Sequence, residues 1–440
     1  MQNKRGLSES SDNESSDSDV LPLTRKRPRR MIIEDSSEEE GTTRQSWIWQ
    51  EKKNTPIVWT YSETHGIKAS VLTNLSKDPT ILELFSIIFD NKLWDIIITE
   101  TNRFAYQEMN DECKRRKVDD NWYPVTLDEI KAYYALCILM SQVKKSNIQQ
   151  YWTTRAVIET PIFRKTMPFK RFRQVSRFLH FSNNETSDRN DRLRKVRPII
   201  NLWNEKFKEI YTPSEYISID ESLMKYKGRL AYKQYNPSKR ARFGLKIYKL
   251  CEASTGFCHK FKIYTGQDKI NVNDSASQNV VMDLSKSIIN KGYTLILDNW
   301  YSSPDLFLKL NQKRTNVIGT VRKNRKNMPG DIQKPVLKKG ECVWRSCNNL
   351  IALRWKDKRD VYMISTKHES VEMVEQSDKK LQKVMKPNCI VEYNKGMGAV
   401  DHQSRSDVIL FPNHEKSHQR IPKAFLLHVR YGPIQYLYYA

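Results

Sequence analysis

The sequence predicts a protein of the α/β class in which a helical region precedes a domain built on a sheet. Between about Trp47 and Tyr211, apolar residues recur at helical spacing. After Pro213 the pattern changes to short runs of β-branched and apolar residues separated by turn signals. Farther along, such runs alternate with helical segments, and this succession indicates an α/β or α+β sheet domain.

The clearest helix is predicted to begin after Thr126. The Thr126 side chain can cap the helix while Glu129 reaches back, which together form a capping box. The residues that follow give the broad apolar stripe of a buried helix: Ile130, Tyr133, Tyr134, Leu136, Cys137, Ile138 and Met140. A second stretch, 169–181, mixes apolar and basic side chains. It fits an ordinary surface helix and a helix with a DNA-facing basic side equally well.

The region after Pro213 contains strands and helices in alternation. Strands are predicted at 216–219, 245–250, 261–264, 293–297 and 317–321, with helices at 276–290 and 304–310. A Lys-rich segment, 326–388, then interrupts the pattern with three short strand candidates near 341–346, 350–355 and 361–365. We interpret this segment as an insertion, after which the chain resumes near Tyr393.

Charge gives the first functional indication. The chain has 75 basic and 51 acidic residues, a net charge of +24 and an isoelectric point near 9.6. Residues 1–46 carry a net charge of −2, so the remaining residues carry +26. Such an excess favours nucleic acid or another anionic surface as the partner.

Residues 1–46 are rich in Ser, Asp and Glu and poor in apolar residues, so this tail is predicted to be disordered. Four serines, Ser11, Ser16, Ser36 and Ser37, each have an acidic residue three positions on, a pattern that acidophilic kinases accept. The tail also contains a basic run that predicts a nuclear import signal, an import receptor as partner and a nuclear location: Arg25, Lys26, Arg27, Arg29 and Arg30.

Other function classes are disfavoured by the sequence. No window approaches the ~20 apolar residues of a membrane span, and the N-terminus has no apolar region of a secretory signal. The seven cysteines are scattered and form no C-x-x-C pair, which argues against a disulfide framework and a zinc finger and favours a reducing compartment.

Three aspartates are candidates for chemistry. Asp220 and Asp298 each follow an apolar strand, where α/β sheets place functional groups, and Asp401 follows a Gly-rich turn and is expected to open a helix. Carboxylates without a nearby His or Cys suit a hard cation such as Mg²⁺ or Mn²⁺. Two such ions about 4 Å apart serve phosphodiester cleavage and strand transfer. Each aspartate alone is more typical of a helix cap or turn, so the flanking sequence decides.

Three blocks of sequence around these aspartates resemble the piggyBac family of DNA transposases. The first comprises 218–222 with 226–229, 233–235 and 244–246, the second is 297–303, and the third is 393–401. Segments 126–140, 151–152 and 177–181 also resemble the family's dimerisation and DNA-binding segment. The resemblance covers roughly residues 70–440.

The resemblance implies an RNase H-like catalytic core interrupted by a small β-rich insertion, joined to a mainly helical dimerisation and DNA-binding domain. It implies cut-and-paste transposition at TTAA targets with divalent metal, a homodimer, and Asp220, Asp298 and Asp401 as catalytic, metal-binding residues. The expected boundaries are 1–46 for the tail, 47–212 for the helical region, 213–325 and 389–410 for the two parts of the core, 326–388 for the insertion, and 411–440 for a helical segment that rejoins the DNA-binding region.

Two departures from the family pattern leave an alternative open. The third block usually continues with a second Asp followed by Gln, where this chain has Ser404 and Arg405, and Ala399 stands where Gly is usual. The chain also stops at Ala440 without the family's Cys-rich module, as expected of a truncated or decayed copy or of a protein that reads DNA differently. The sequence therefore supports an active transposase or a decayed, transposase-derived nuclear DNA-binding protein.

Basic residues near the first two blocks are predicted to bind DNA phosphates, interleaved with aromatic residues such as Tyr235 and Phe243. Trp300, two residues after the second aspartate, fits both core packing and stacking on an unpaired base. The predicted DNA-binding residues are Lys227, Arg229, Lys233, Lys239, Arg240, Arg242, Lys246, Arg322 and Lys323.

Overall fold

The structure, a computed structural model, describes residues 46–110, 121–226, 228, 230–237, 242–266, 275–377 and 383–400. The chain divides into residues 1–46 and residues 47–440, and the helices and strands belong to the second unit. The predicted kinase sites, the import signal and the segment 411–440 lie outside the described residues.

Seven helices are described in the first part of this unit. The largest core cluster, which includes Trp94, Tyr133, Phe172 and Trp203, holds them together. Two short 3-10 turns, Ile148–Trp152 and Ala156–Ile158, lie between α4 and α5. The helices are α1 (Ala69–Leu72), α2 (Ile81–Ile88), α3 (Asn91–Asn110), α4 (Leu127–Gln142), α5 (Pro161–Thr166), α6 (Phe169–Phe178) and α7 (Arg197–Ile210).

The predicted N-terminal cap of α4 is confirmed, but only one half of the capping box is seen. Thr126 Oγ1 accepts from the Glu129 backbone N–H at 3.3 Å. The Glu129 carboxylate instead accepts two hydrogen bonds of 2.6 Å from Arg171 of α6. Arg171 is buried and also lies 3.6 Å from the centre of the Tyr123 ring. Arg171, one of the basic residues of 169–181, therefore points into the protein, where it pairs with Glu129. Arg173 is exposed.

A nine-stranded mixed sheet forms the second part, with strand order β4-β5-β3-β7-β8-β11-β10-β9 and β6 paired with β5. Strands β3, β7 and β8 run parallel, whereas β5 and β6 pair antiparallel beside β3. Its strands are β3 (Tyr216–Lys225), β4 (Gln234–Tyr235), β5 (Phe243–Glu252), β6 (Cys258–Ile263), β7 (Thr294–Leu297), β8 (Asn316–Thr320), β9 (Cys342–Cys347), β10 (Leu350–Lys356) and β11 (Asp360–Ser365). Two separate pairs are β1 (Gly66–Ile67) with β2 (Tyr211–Thr212), and β12 (Met373–Ser377) with β13 (Lys383–Pro387).

Helices cover both faces of this sheet. One face packs against α8 (Ala276–Ser285) and α9 (Pro304–Gln312) through a fully apolar cluster. The opposite face packs against α7 and against α10 (Asn388–Gly396), which places Cys389 and Ile390 on Ile318. The predicted α/β class is confirmed as a mixed α/β fold with a large mixed sheet.

The three strand candidates in the Lys-rich segment are confirmed as β9, β10 and β11. They form an antiparallel meander whose last strand pairs with β8. They therefore extend the main sheet and do not form a separate sheet. The pairing satisfies the free edge of β8. The pair of β12 and β13 was not predicted, because only one of its ten residues is buried and its apolar residues do not alternate.

The expectation that the chain is mainly helical from Trp47 is wrong for its first residues. Residues 47–65 are extended and lie against the sheet domain. Asn316, fully buried, accepts from the Trp59 backbone N–H at 2.9 Å and donates to its carbonyl at 2.8 Å. Asn311 likewise donates to the Ile57 carbonyl at 3.1 Å. Together with backbone hydrogen bonds such as those between Gln50 and Ser346, these amides hold the segment against the sheet domain.

Two further observations concern the described residues only. None of their helices combines the length and the apolar character needed to cross a membrane. Their six cysteines, at 137, 251, 258, 342, 347 and 389, are free thiols.

We predict that Arg171→Ala lowers the free energy of unfolding by about 3 kcal/mol or more, because it leaves the Glu129 carboxylate without its buried partner. Chemical denaturation of the variant measures this loss. Arg173→Ala, on the exposed side of the same helix, is the control and should change stability by about 0.5 kcal/mol at most. Equal effects of the two substitutions would contradict a stabilising pair of Arg171 and Glu129.

Candidate active site

The parallel register of β3 and β7 places the first two candidate aspartates side by side. Ile219 pairs with Leu297, and the next residue on each chain is Asp220 and Asp298. Neighbouring strands lie about 4.8 Å apart, so the two carboxylates leave the same face at adjacent positions. The row continues on β8, where Thr320 Oγ1 donates to Asp298 Oδ1 at 3.1 Å.

Asp298 follows its strand as predicted, but Asp220 does not end one. Strand β3 continues through Lys225, because β5 pairs with it beyond the end of β7. Asp220 is therefore a mid-strand residue whose antiparallel partner is Lys249. Lys249 is buried and shares the face of Asp220, so a cation accompanies the carboxylates in the sheet.

The loop after Asp298 is built by hydrogen bonds to that residue. The Asp298 carbonyl accepts from the N–H groups of Tyr301 at 3.0 Å and Ser302 at 3.2 Å, and from the Ser302 hydroxyl at 3.0 Å. Ser303 then caps α9 by accepting from the Leu306 N–H. The sequence of the second block thus encodes a tight turn from strand to helix, with the carboxylate at its start.

A second contact ties this loop to β3. Glu221, on the face opposite Asp220, accepts from the Tyr301 hydroxyl at 3.2 Å. Burial, and then the negative charge of Glu221, raise the pKa of Tyr301, so the phenol stays protonated as a donor. The contact fixes Asp298 relative to Asp220.

Helix α10 lies on the face that carries the aspartates. Gly396 packs against Ile296 so closely that a Cβ there would lie 2.0 Å from Ile296 Cδ1. The Tyr393 hydroxyl is 3.5 Å from Thr320 Oγ1. Burial, together with the charges of Asp298 and Asp220, raises the pKa of Tyr393 to about 12, although the bond to Thr320 opposes the shift.

The third block differs from its prediction in one respect. The residues 393–396 form the last turn of α10, and the chain turns only at 397–398 before Ala399 and Val400 resume a helical path. Both of these residues are buried in the core shared with the helical part. Asp401, Ser404 and Arg405 lie outside the described residues, the last of which is Val400.

Helix α10 is anchored through the half-buried carboxylate of Glu392. It accepts from the Tyr216 hydroxyl at 2.5 Å and pairs with Lys367 and His368, both at 3.0 Å. Burial opposes ionisation of Glu392, but the hydrogen bonds from His368 and Tyr216 and the charge of Lys367 outweigh it and lower its pKa to about 2. This cluster joins α10 to the start of β3.

The donor set fits a hard divalent cation. Asp220, Asp298 and Thr320 offer oxygen atoms alone, which Mg²⁺ and Mn²⁺ prefer. In the part of the chain that the structure describes, no group of three or more His, Cys, Asp or Glu residues could by itself hold a metal ion. The two aspartates need a further ligand, and Asp401 is the residue that the third block predicts for it.

The predicted DNA-binding residues have mixed placements. Arg242, Arg322 and Lys323 are exposed. Lys246 instead lies over aromatic rings, 4.8 Å from Tyr248 and 4.9 Å from Trp300. Lys233 is half-buried, and its ammonium donates to the Gly228 carbonyl at 3.1 Å. The other four, Lys227, Arg229, Lys239 and Arg240, lie outside the described residues.

Trp300 is used in packing. Its ring stacks on Tyr248 with 5.9 Å between centroids and meets Tyr301 edge-on at 4.8 Å. Arg325 donates to its carbonyl at 2.6 Å. These contacts support the core interpretation of Trp300 over base stacking.

Sequence reasoning missed Thr320, Glu392 and the Glu221–Tyr301 contact. Thr320 carried a usable signal, because it is a polar residue near the end of the predicted strand 317–321. Glu392 carried none, since its three partners, Tyr216, Lys367 and His368, belong to other segments of the chain.

A family model described as "Transposase IS4" matches residues 80–430. The chain belongs to this transposase family, in its piggyBac-type group. The predicted family is thus confirmed.

Individual relatives agree with this assignment. The chain is 26% identical over 342 residues to human piggyBac transposable element-derived protein 3. This match covers 74% of the chain and 55% of the relative. It is 26% identical over 339 residues to human piggyBac transposable element-derived protein 2, covering 72% of the chain and 53% of the relative. The chain therefore spans about half the length of the curated relatives it matches.

A solved structure shares the fold. The cryo-EM structure of a piggyBac transposase synaptic complex with hairpin DNA matches with a TM-score of 0.73 at 21% identity. The match covers 86% of this chain and 77% of that one.

We predict that Gly396→Ala displaces α10 from the sheet, because the added methyl group would overlap the Ile296 side chain. Overpacking of this kind lowers the free energy of unfolding by about 1 to 3 kcal/mol. Gly330→Ala is the matched control, since Gly330 has a φ of −76° and open space around its Cβ position. A Gly396 variant as stable as the Gly330 variant would show that α10 does not approach β7 this closely.

We predict that Glu392 makes stability depend on acid pH. Its folded pKa lies below the ordinary value of 4.5, so its contribution of roughly 3 kcal/mol is present above pH 4.5 and lost as the pH falls towards 2. Chemical denaturation should show that Glu392→Gln has a lower free energy of unfolding than the unmodified chain at pH 6. This difference should shrink by pH 3. Glu375→Gln, an exposed glutamate of β12, is the control. A deficit that is constant with pH would contradict the role of this charge.

Proposed function

We propose that this protein is a metal-dependent DNA transposase that cleaves DNA strands and transfers them at TTAA targets. The observation that carries the proposal is the register of β3 and β7, which sets Asp220 beside Asp298 at one edge of the parallel strands. Membership of the piggyBac-type family supplies the reaction class.

The catalytic core in this proposal is RNase H-like. Support comes from the topology, in which an antiparallel run of β3, β5 and β6 is joined through β3 to the parallel strands β7 and β8, with helices on both faces. The insertion of residues 326–388 then enters after β8 and returns to α10. On this basis the core comprises residues 213–325 and 389–410.

In the proposed site, Asp220, Asp298 and Asp401 hold Mg²⁺ or Mn²⁺. When bound, such ions stabilise charge on the attacking and leaving oxygens of a phosphodiester. The chain's own residues fix the ligands: Thr320 orients the Asp298 carboxylate, and the Tyr301–Glu221 contact holds the loop of Asp298 on β3. The close contact of Gly396 brings the segment before Asp401 onto the same face.

The proposed partner is DNA. In this proposal the protein binds it as a homodimer, in the nucleus. The excess charge of residues 47–440 and the exposed cations near the aspartates, including Arg322 and Lys323, support binding to phosphates. The basic run 25–30 supports nuclear import, and the four acidic-flanked serines support modification of the tail by an acidophilic kinase.

We predict that Asp298→Asn and Asp220→Asn each reduce strand cleavage at least roughly a hundredfold, since loss of a metal ligand removes several kcal/mol of transition-state stabilisation. Purified full-length chain is incubated with TTAA-containing DNA and Mg²⁺, and nicked and joined products are quantified. Asp305→Asn, an exposed aspartate of α9, is the control that should retain activity. An unmodified chain that leaves the DNA intact would refute the proposed reaction.

A second candidate function is a transposase-derived DNA-binding protein without cleavage. Ser404 and Arg405, in place of the family's usual Asp and Gln, favour it. It requires salt-dependent DNA binding that Asp220→Asn leaves unchanged, together with absence of nicking. The cleavage assay and a binding assay on the same proteins separate the two functions.

A further inference from the structure

An exposed aromatic pair stands on the β4–β5 hairpin, away from the aspartates. Tyr235 of β4 lies directly opposite Phe243 of β5, and their ring centroids are 4.7 Å apart with the planes inclined by 37°. Tyr235 is 58% exposed and Phe243 is 47% exposed. Two large aromatic side chains therefore expose about half of their surface at the edge of the sheet.

Cations accompany these rings. The Lys233 ammonium lies 5.5 Å from the centre of the Phe243 ring and is held by a hydrogen bond of 3.1 Å to the Gly228 carbonyl. Arg242, next to Phe243, is exposed. The combination of stacked aromatic faces and flanking positive charge is complementary to bases joined by phosphates.

The position of the pair makes it a binding rather than a catalytic element. Phe243 precedes Lys249, the partner of Asp220, by six residues on β5, so it lies on the same face roughly 20 Å away. Between them, Leu245 and Ile247 are buried in the core of the helical part. Tyr235 and Phe243 lie beyond the part of β5 that packs on this core, and they are exposed.

We propose that Tyr235 and Phe243 form a stacking platform for the bases of an unpaired DNA strand. The platform takes single-stranded rather than duplex DNA, because a paired helix hides the faces of its bases. Lys233 and Arg242 hold the adjoining phosphates. The inference rests on the proposed DNA binding and adds to it a strand-selective site outside the aspartate row.

The test compares the full chain with the double variant Tyr235→Ser/Phe243→Ser. Fluorescence anisotropy measures binding of one labelled oligonucleotide, first as a single strand and then as a duplex, over a range of salt concentrations. We expect the double variant to lose roughly tenfold to a hundredfold in affinity for the single strand, and about twofold or less for the duplex. Its salt dependence should be unchanged, because no charge is removed.

Two controls make the result specific. Tyr106→Ser removes an aromatic ring that is 46% exposed on α3 and should leave both affinities unchanged. The exchange Tyr235→Phe/Phe243→Tyr keeps both rings and should retain single-strand binding.

The outcomes separate this inference from the proposed function. Equal single-strand affinity of the unmodified chain and the double variant would overturn the platform alone, provided the chain binds duplex DNA. An equal loss for single strand and duplex would also overturn it, as would a change from dimer to monomer in sedimentation, which would make the pair an interface between copies. A chain that binds neither form of DNA would overturn both the platform and the proposed function.

Discussion

The pairing of β3 with β7 is the constraint on which the rest of the site depends. Ile217, Ile219, Leu295 and Leu297 face the apolar cluster beneath α8 and α9, which leaves Asp220 and Asp298 on the opposite face. A slip of either strand by one residue would turn its carboxylate into that cluster, at a large desolvation cost. The core therefore selects the register, and the register places the charges together.

Two like charges at adjacent positions repel each other, so the surrounding structure must hold them. The contacts that do so come from both faces of the sheet. Thr320 binds Asp298 on one face, while Tyr301 and Glu221 fasten the following loop on the other. Helix α10 then closes the site, and its anchor is a second charge cluster around Glu392 at the start of β3. Stability and site geometry thus rest on the same few strands.

The sequence was sufficient for local features and insufficient for those that depend on distant partners. Thr126 and the apolar stripe identified α4, and strand-to-turn patterns located Asp298 correctly. The extent of β3 was missed because polar residues such as Ser222 are tolerated there only through pairing with β5. The extended course of residues 47–65 was missed for a related reason, since the amides that hold it, Asn311 and Asn316, lie more than 250 residues away.

The same distinction applies to the charge of the protein. A count of cations suggested a broad grip on DNA, yet several of these side chains have structural partners within the fold. Arg171 pairs with Glu129, Lys367 with Glu392, and Lys246 lies over Tyr248 and Trp300. Cations used in this way are already neutralised or partly desolvated and release few counterions from DNA. The proposed DNA binding then depends on sites where exposed charge and exposed aromatic surface coincide, and the β4–β5 pair is a place on the described surface that offers both.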